Sequence, residues 1–259
     1  MSWDSFIWFA LPSILLWVIA SLLVYKTNYR LISNILFLMG ISTFLLFIIL
    51  FWNHINRPPF RTMGETRLWY SFFITTIGFI TYRIWKYKWL LSYTTLVGSV
   101  FIIINLLKPE IHSTNLMPAL QSSWFIPHVT SYILSYSMFG ASTIAAIILL
   151  FKLRKDKEDK ELEKLIDNLV YVGFGFLALG MLMGCMWAKA AWGNYWSWDP
   201  KETWAFLTIT TYLAFMHTRI QKIDIRISLW ILIIALILLC ITWLGVSYLP
   251  SAQGSVHVY

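Results

Sequence analysis

The sequence predicts an all-α, polytopic integral membrane bundle of about eight transmembrane helices. Three observations predict it. Hydrophobic residues make up 59% of the 259 residues and charged residues only 12%, a balance found in chains that live in lipid. Eight stretches approach the roughly 20 apolar residues that a bilayer core about 30 Å thick requires. The lysines and arginines alternate between loops in the way that membrane topology demands.

The stretches lie at about 6–25, 32–51, 68–85, 90–107, 128–150, 169–187, 204–218 and 227–248. The first has no basic segment before it, carries Asp4, and is too long for a cleaved signal, so it reads as a retained helix. The third and seventh are interrupted by Arg83 and by polar residues. Two longer loops separate helices on one side, 52–66 and 108–127. Pro58-Pro59 fixes an extended turn in the first. In the second, "LMPALQSSWF" suits a short amphipathic helix lying on the membrane. The block "KLRKDKEDKELEK" (152–164) mixes both signs. It reads as a solvated connector, or as a helical extension with Asp156–Lys160 as an i,i+4 pair. Gly180 and Gly184 form a G-x-x-x-G in the sixth stretch, which close helix packing explains. The chain divides into an N-terminal region, 1–115, and a segment, 116–259, that carries the motifs below.

The formal charge of +8 raises the question of nucleic acid. Its distribution answers against it. One set of loops holds Lys26, Arg30, Arg83, Lys86, Lys88, Lys152, Arg154, Lys155, Lys157, Lys160, Lys164, Arg219, Lys222 and Arg226. The other side holds only Arg57, Arg61, Arg67, Lys108, Lys189 and Lys201. The richer set belongs in the cytoplasm, which places both termini outside. Cys185 and Cys240 have neither C-x-x-C nor C-x-x-C-H spacing and read as small buried hydrophobes.

The outward loop between the sixth and seventh stretches is the most unusual part of the chain. "WGNYWSWDPKETW" (192–204) packs Trp192, Trp196, Trp198 and Trp204 around Tyr195, with Trp187 just upstream. Interfacial belts are rich in tryptophan, but they spread over all helix ends. A local cluster suits a large flat apolar ligand such as a porphyrin. Part of the run is ordinary helix chemistry: Asp199, Pro200 and Glu202 fit N-cap, first and third helical positions, a D-x-x-E capping box.

The chain has five histidines, His54, His112, His128, His217 and His257. His128 opens the fifth helix, with Ser131, Tyr132 and Ser135 on the same stripe. His257 lies in the outward tail. Two imidazoles on one membrane face suit a haem iron ligated from both sides, while a solvated interfacial histidine is the plainer alternative for each. His217 ends the seventh helix, 18 residues beyond Asp199, or about 27 Å at the helical rise. It cannot share a haem with the outward run. It is either an interfacial residue or part of a second, inner position.

These residues resemble a family. "WGNYWSWDPKETWAF" closely resembles the WWD motif of CcsA (ResC) proteins, the haem-handling subunits of system II cytochrome c biogenesis. "SSWFIPHVTSYILSYSMF" (122–139), "AFMHTR" (214–219) and "GSVHVY" (254–259) resemble that family's outward, transmembrane and second outward histidine segments. The resemblance covers roughly 116–259. It implies that haem b is bound by Trp192, Gly193, Trp196, Trp198 and Asp199, with His128 and His257 as axial ligands, and that His217 serves an inner site. It also implies an integral protein of the bacterial cytoplasmic membrane, a CcsB (ResB)-type partner, and apocytochrome c as acceptor of the haem. The joint reaction is attachment of haem vinyl groups to the thiols of C-x-x-C-H. A system I haem-delivery protein of the CcmC type, a haem-b electron-transfer anchor and a non-haem transporter are the competing classes. No acid–base catalyst is evident in the chain.

Overall fold

The computed structural model describes residues 2–112, 118–250 and 255. Among them there are eight α-helices and no strand: α1 (Ile7–Leu23), α2 (Arg30–Ile55), α3 (Met63–Trp85), α4 (Trp89–Leu107), α5 (Phe125–Leu153), α6 (Lys160–Trp192), α7 (Pro200–Ile220) and α8 (Ile225–Cys240). Six of them, α1, α2, α4, α5, α6 and α8, are long and apolar enough to cross a membrane, α1 and α8 when taken with the short turns that continue them, as Trp3–Leu23 and Ile225–Gly245. The other two, α3 and α7, reach 23 and 21 residues and fall short only in composition. These are the two stretches in which the sequence shows Arg83 and polar residues interrupting the apolar run.

The chain forms two compact units, residues 1–116 and 117–259. Each is built from four helices. In the first, α1 packs on α2 and α4, and α3 packs on α2 and α4. In the second, α5 packs on α6 and α8, and α7 packs on α6 and α8. The two units therefore repeat one arrangement, a ring of four helices each touching its neighbours in sequence, closed by first against last.

In the first unit the core is aromatic. Trp17 is fully buried against Phe37 and Phe44. Gly40 makes room for it, because a Cβ there would stand 2.6 Å from the indole nitrogen. The loop before α3 is tied down by one carboxylate. Glu65, 2% exposed, accepts two hydrogen bonds from Arg57 at 2.8 and 2.7 Å, and others from the Arg61 and Thr62 amides. Thr62 in turn accepts from the Glu65 amide, completing a capping box that starts α3 at Met63. The apolar pattern alone starts this helix five residues later. Pro58-Pro59 does make a tight turn, with the Phe60 amide donating to the Pro58 carbonyl, and Phe60 stacks on Trp69.

In the second unit α5 and α6 form the closest pair. Gly173, Gly180 and Gly184 of α6 each face an aromatic ring of α5: Phe139, Tyr132 and His128. The steps of seven and four residues along α6 match the same steps along α5, as an antiparallel register requires. The charge block is shared between these helices: Lys152 and Leu153 end α5, Lys160 to Lys164 open α6, and only the residues between them form the turn. α5 ends at Leu153, Asp156 turns the chain at φ 51°, and Asp159 caps α6 by accepting from the Leu162 amide at 2.9 Å. Lys152 bonds Asp159 across the turn, so the pairing Asp156–Lys160 expected for a continuous helix gives way to Lys160–Glu163 and Lys164–Glu161. In place of a surface helix in 116–125, the described part has one 3-10 turn, Pro118–Gln121, whose Leu120 is buried with Phe125 and Trp187. α8 passes into a π turn, Ile241–Gly245, which is held to α7 by a buried hydrogen bond between Thr208 and Thr242.

Candidate functional site

The site grows from three helix ends in the second unit: the start of α5, the end of α6 and the start of α7. α6 stops because Gly193 takes the left-handed conformation, φ 88°, and its amide caps the Lys189 carbonyl. Nothing lies within 4 Å of where a Gly193 Cβ would be, so the glycine is there for its backbone angle. Five residues later the chain needs a second left-handed residue, and here it uses Trp198, at φ 57°. A bulky residue in that region is strained. The strain is held by Glu202, whose carboxylate accepts from the Ser197 amide at 2.8 Å and from the Asp199 amide at 3.2 Å, one on each side of Trp198. Asp199 and Glu202 form the expected capping box, with Pro200 in the first turn of α7. Both carboxylates are buried, at 8% and 9% exposure.

The tryptophans fall into two edge-to-face sets. Trp187 is 3% exposed and bonds the Ala119 carbonyl through its indole N–H at 2.8 Å. It packs against Phe125 and Trp192, at 5.1 and 4.9 Å between ring centroids. The other set is Trp196, Trp198 and Phe206, with Trp198 63% exposed. Trp187 and Phe125 are therefore part of the core that fixes the helix ends, with Trp192 partly buried against them. The second set offers open aromatic faces.

His128 sits in the first set. Its ring stacks against Trp187, 5.6 Å between centroids and 26° between planes, and meets Tyr132 at 4.5 Å. Nδ1 lies 2.7 Å from the Gly180 carbonyl oxygen. Ser131 and Ser135 are buried on the same stripe of α5, and Tyr136 carries the ring series on to Trp243 in the π turn.

Of the remaining sequence candidates, His257 lies outside the described residues. Ser255, two residues before it, donates to Asp199 Oδ1 at 3.0 Å. His217 is exposed near the far end of α7, which runs unbroken from Pro200 to Ile220. The structure thus brings His128 together with Trp187 and Trp192, puts Trp196, Trp198 and Asp199 on the turn that follows, and leaves His217 at the other end. Beside His217, Arg219 is bound by both Asp167 oxygens, at 2.9 and 3.0 Å, and by Glu163 at 3.2 Å. Sequence reasoning missed this ion-pair cluster, and also Gly180, Gly184 and Ser255 as neighbours of site residues. The spacing H-x-x-x-Y on α5 against G-x-x-x-G on α6 was the available signal for the glycines.

Among the described residues the structure is all-helical, with six helical segments long and apolar enough to cross a membrane, which is the architecture of a membrane protein. The chain belongs to the family of cytochrome c assembly proteins, whose pattern matches residues 4–252, well beyond the span of the four motifs. Among its relatives are proteins named cytochrome c biogenesis protein CcsA. That of Mesostigma viride is 32% identical over 88% of each chain. That of Chlamydomonas reinhardtii is 33% identical over 71% of this chain and 57% of its own length. That of Chlorella vulgaris is 40% identical over a shorter stretch, 42% of this chain and 47% of its own.

Proposed function

We propose that this chain is the haem-handling membrane subunit of a system II cytochrome c synthase. Its family membership gives a role in cytochrome c maturation, and the name shared by its relatives supports system II over a system I delivery protein. The observation that carries the haem reading is His128: an imidazole half-buried between Trp187 and Tyr132, with Trp187 in turn packed on Trp192 at the end of α6. In this reading haem b is cargo. It lies against Trp192, Trp196 and Trp198, with Gly193 and Asp199 shaping the turn that carries them, and its iron is ligated by His128 and His257. His217 serves an inner site, completed by a CcsB (ResB)-type partner, and apocytochrome c receives the haem.

All eight helices cross the membrane in this reading. α3 and α7 span about 35 and 32 Å at the helical rise. Much of their polarity is buried within the units, as Ser71, Thr75 and Thr81 on α3 and Thr208, Tyr212 and Thr218 on α7. The excess of basic residues in the opposite loops supports an orientation with the tryptophan turn on the side away from the cytoplasm.

The test is co-expression with a CcsB-type protein in cells that lack their own system, together with a reporter cytochrome c. Covalent haem on the reporter, lost when this chain is omitted, is the expected result. A purified complex that carries no haem and leaves the reporter unmodified overturns the proposal.

A further inference from the structure

Chemistry settles the role of one His128 nitrogen. A carbonyl oxygen only accepts, so the 2.7 Å contact with Gly180 puts a proton on Nδ1. In the neutral ring the lone pair then resides on Nε2. The contact requires the ring to come close against the backbone of α6, and Gly184 is what permits it. A Cβ at Gly184 would stand 2.8 Å from His128 Nδ1 and 2.9 Å from Cε1. These are ring atoms of a side chain already confined by Trp187 and Tyr132, and any added methyl must push the imidazole away from the Gly180 carbonyl. The neighbouring ring depends on the same helix face, since a Cβ at Gly180 would stand 2.4 Å from Tyr132 Cδ1.

We propose that Gly180 and Gly184 are positioning residues for haem ligation. Together they seat His128 in its Nδ1–H tautomer and present Nε2 as the iron-binding atom. A ligating histidine ordinarily has its second nitrogen fixed by a carbonyl or a carboxylate, which sets tautomer and ring direction. Here a helix backbone supplies that partner, and the missing side chain at Gly184 gives access to it. The ligation half of this proposal rests on His128 being a haem ligand. The tautomer half does not.

The plainer account is that these glycines only let two helices approach. The same helix carries the controls. A Cβ at Gly173 would stand 2.9 Å from Phe139 Cε1, the same steric insult against a ring that can ligate nothing. A Cβ at Gly175 would meet nothing within 4 Å.

The experiment uses the full chain with its histidine rings labelled with nitrogen-15, first free of haem and then co-expressed with a CcsB-type partner. In the haem-free protein, the resonance removed by His128→Gln is expected to report a protonated Nδ1. Gly184→Ala is expected to abolish that pattern, while Gly173→Ala and Gly175→Ala keep it. In the complex, Gly184→Ala is expected to lower low-spin haem about 10-fold, the scale of outer-shell effects on bound metals, with the two controls close to wild type. A double variant covers the case in which Gly184→Ala accumulates poorly. In a His128→Gly background the clash has no partner, so Gly184→Ala is expected to add no further loss of protein.

A wild-type His128 protonated on Nε2 overturns the proposal. So do equal haem losses in Gly184→Ala and Gly173→Ala, or a loss of protein in the double variant that simply adds. The expected tautomer in a complex that never holds haem overturns the ligation half together with the haem reading.

Discussion

Asp199 accepts hydrogen bonds on one carboxylate oxygen from two parts of the chain: the Lys201 amide of its own helix at 2.9 Å, and the Ser255 hydroxyl at 3.0 Å. The N-cap of α7 is thereby also an anchor for the C-terminal segment. Ser255→Ala removes one hydrogen bond, worth about 1 kcal/mol, or roughly a five-fold change in local opening. The expected outcome is several-fold faster proteolytic release of a C-terminal tag, with α7 intact. Asp199→Asn keeps an acceptor for both donors and is expected to behave nearly as wild type. Asp199→Ala loses cap and anchor together, and costs about 1 kcal/mol more from the cap. Unchanged tag release in Ser255→Ala would show that the tail is held elsewhere.

Stability and haem retention should separate among the tryptophans. Trp187 is buried and hydrogen-bonded, so Trp187→Ala is expected to destabilise by about 3–5 kcal/mol and to lower the amount of protein recovered. Trp192→Ala and Trp196→Ala are expected to keep most of the protein while reducing haem several-fold, through loss of ring faces. Trp8, 78% exposed on α1, is the control. Haem loss from Trp8→Ala equal to that from Trp196→Ala would mark the tryptophans as an interfacial belt.

Trp198 gives a sharper form of the same test. A non-glycine residue at φ 57° costs about 1–2 kcal/mol that glycine does not incur. Trp198→Gly is therefore expected to raise the thermal stability of the purified chain, while haem retention falls. Trp198→Ala keeps the strain and loses the ring, so it is expected to lower retention without the gain. A stability–function exchange of this kind is what a strained site residue produces. If Trp198→Gly retains haem like wild type, the exposed ring has no part in binding.

The helices were legible from apolar length, and the capping box Asp199-x-x-Glu202 from residue types alone, because both are set within a few residues of chain. The capping box Thr62-x-x-Glu65 carries the same signal, but it lies outside the apolar run that drew attention to α3. What sequence alone did not reveal depends on register between helices. Gly184 is an unremarkable small residue until α5 is laid against α6 and the ring opposite it proves to be His128. Arg219 reads as one more basic residue of a cytoplasmic loop until α6 brings Asp167 and Glu163 to it. The two sets of tryptophans likewise differ in burial through where α6 ends, a matter of φ at Gly193. That each four-helix unit closes its first helix against its last follows contacts that no local pattern records.

In the proposed function, His217 separates an inner event from an outer one. It lies on α7 about 27 Å from Asp199 at the helical rise, and the helix between them is unbroken. No haem touches both. Its side is the exposed face of α7, shared with Leu213 and Ile220, while Arg219 on the adjoining face is fastened to Asp167. A histidine on an otherwise apolar outward face suits a site completed by another membrane helix. If haem is loaded there first, His217→Gly is expected to leave the complex with little haem at either position, while protein recovery stays normal because the side chain is exposed. His128→Gly is expected to keep haem at the inner position and fail at transfer, with added imidazole partly restoring covalent haem on the reporter cytochrome by filling the vacated iron position. The two variants are read by haem content per complex and by covalent haem on the reporter. A His217→Gly complex with full haem content and normal transfer would show that haem reaches the tryptophan turn without passing the far end of α7.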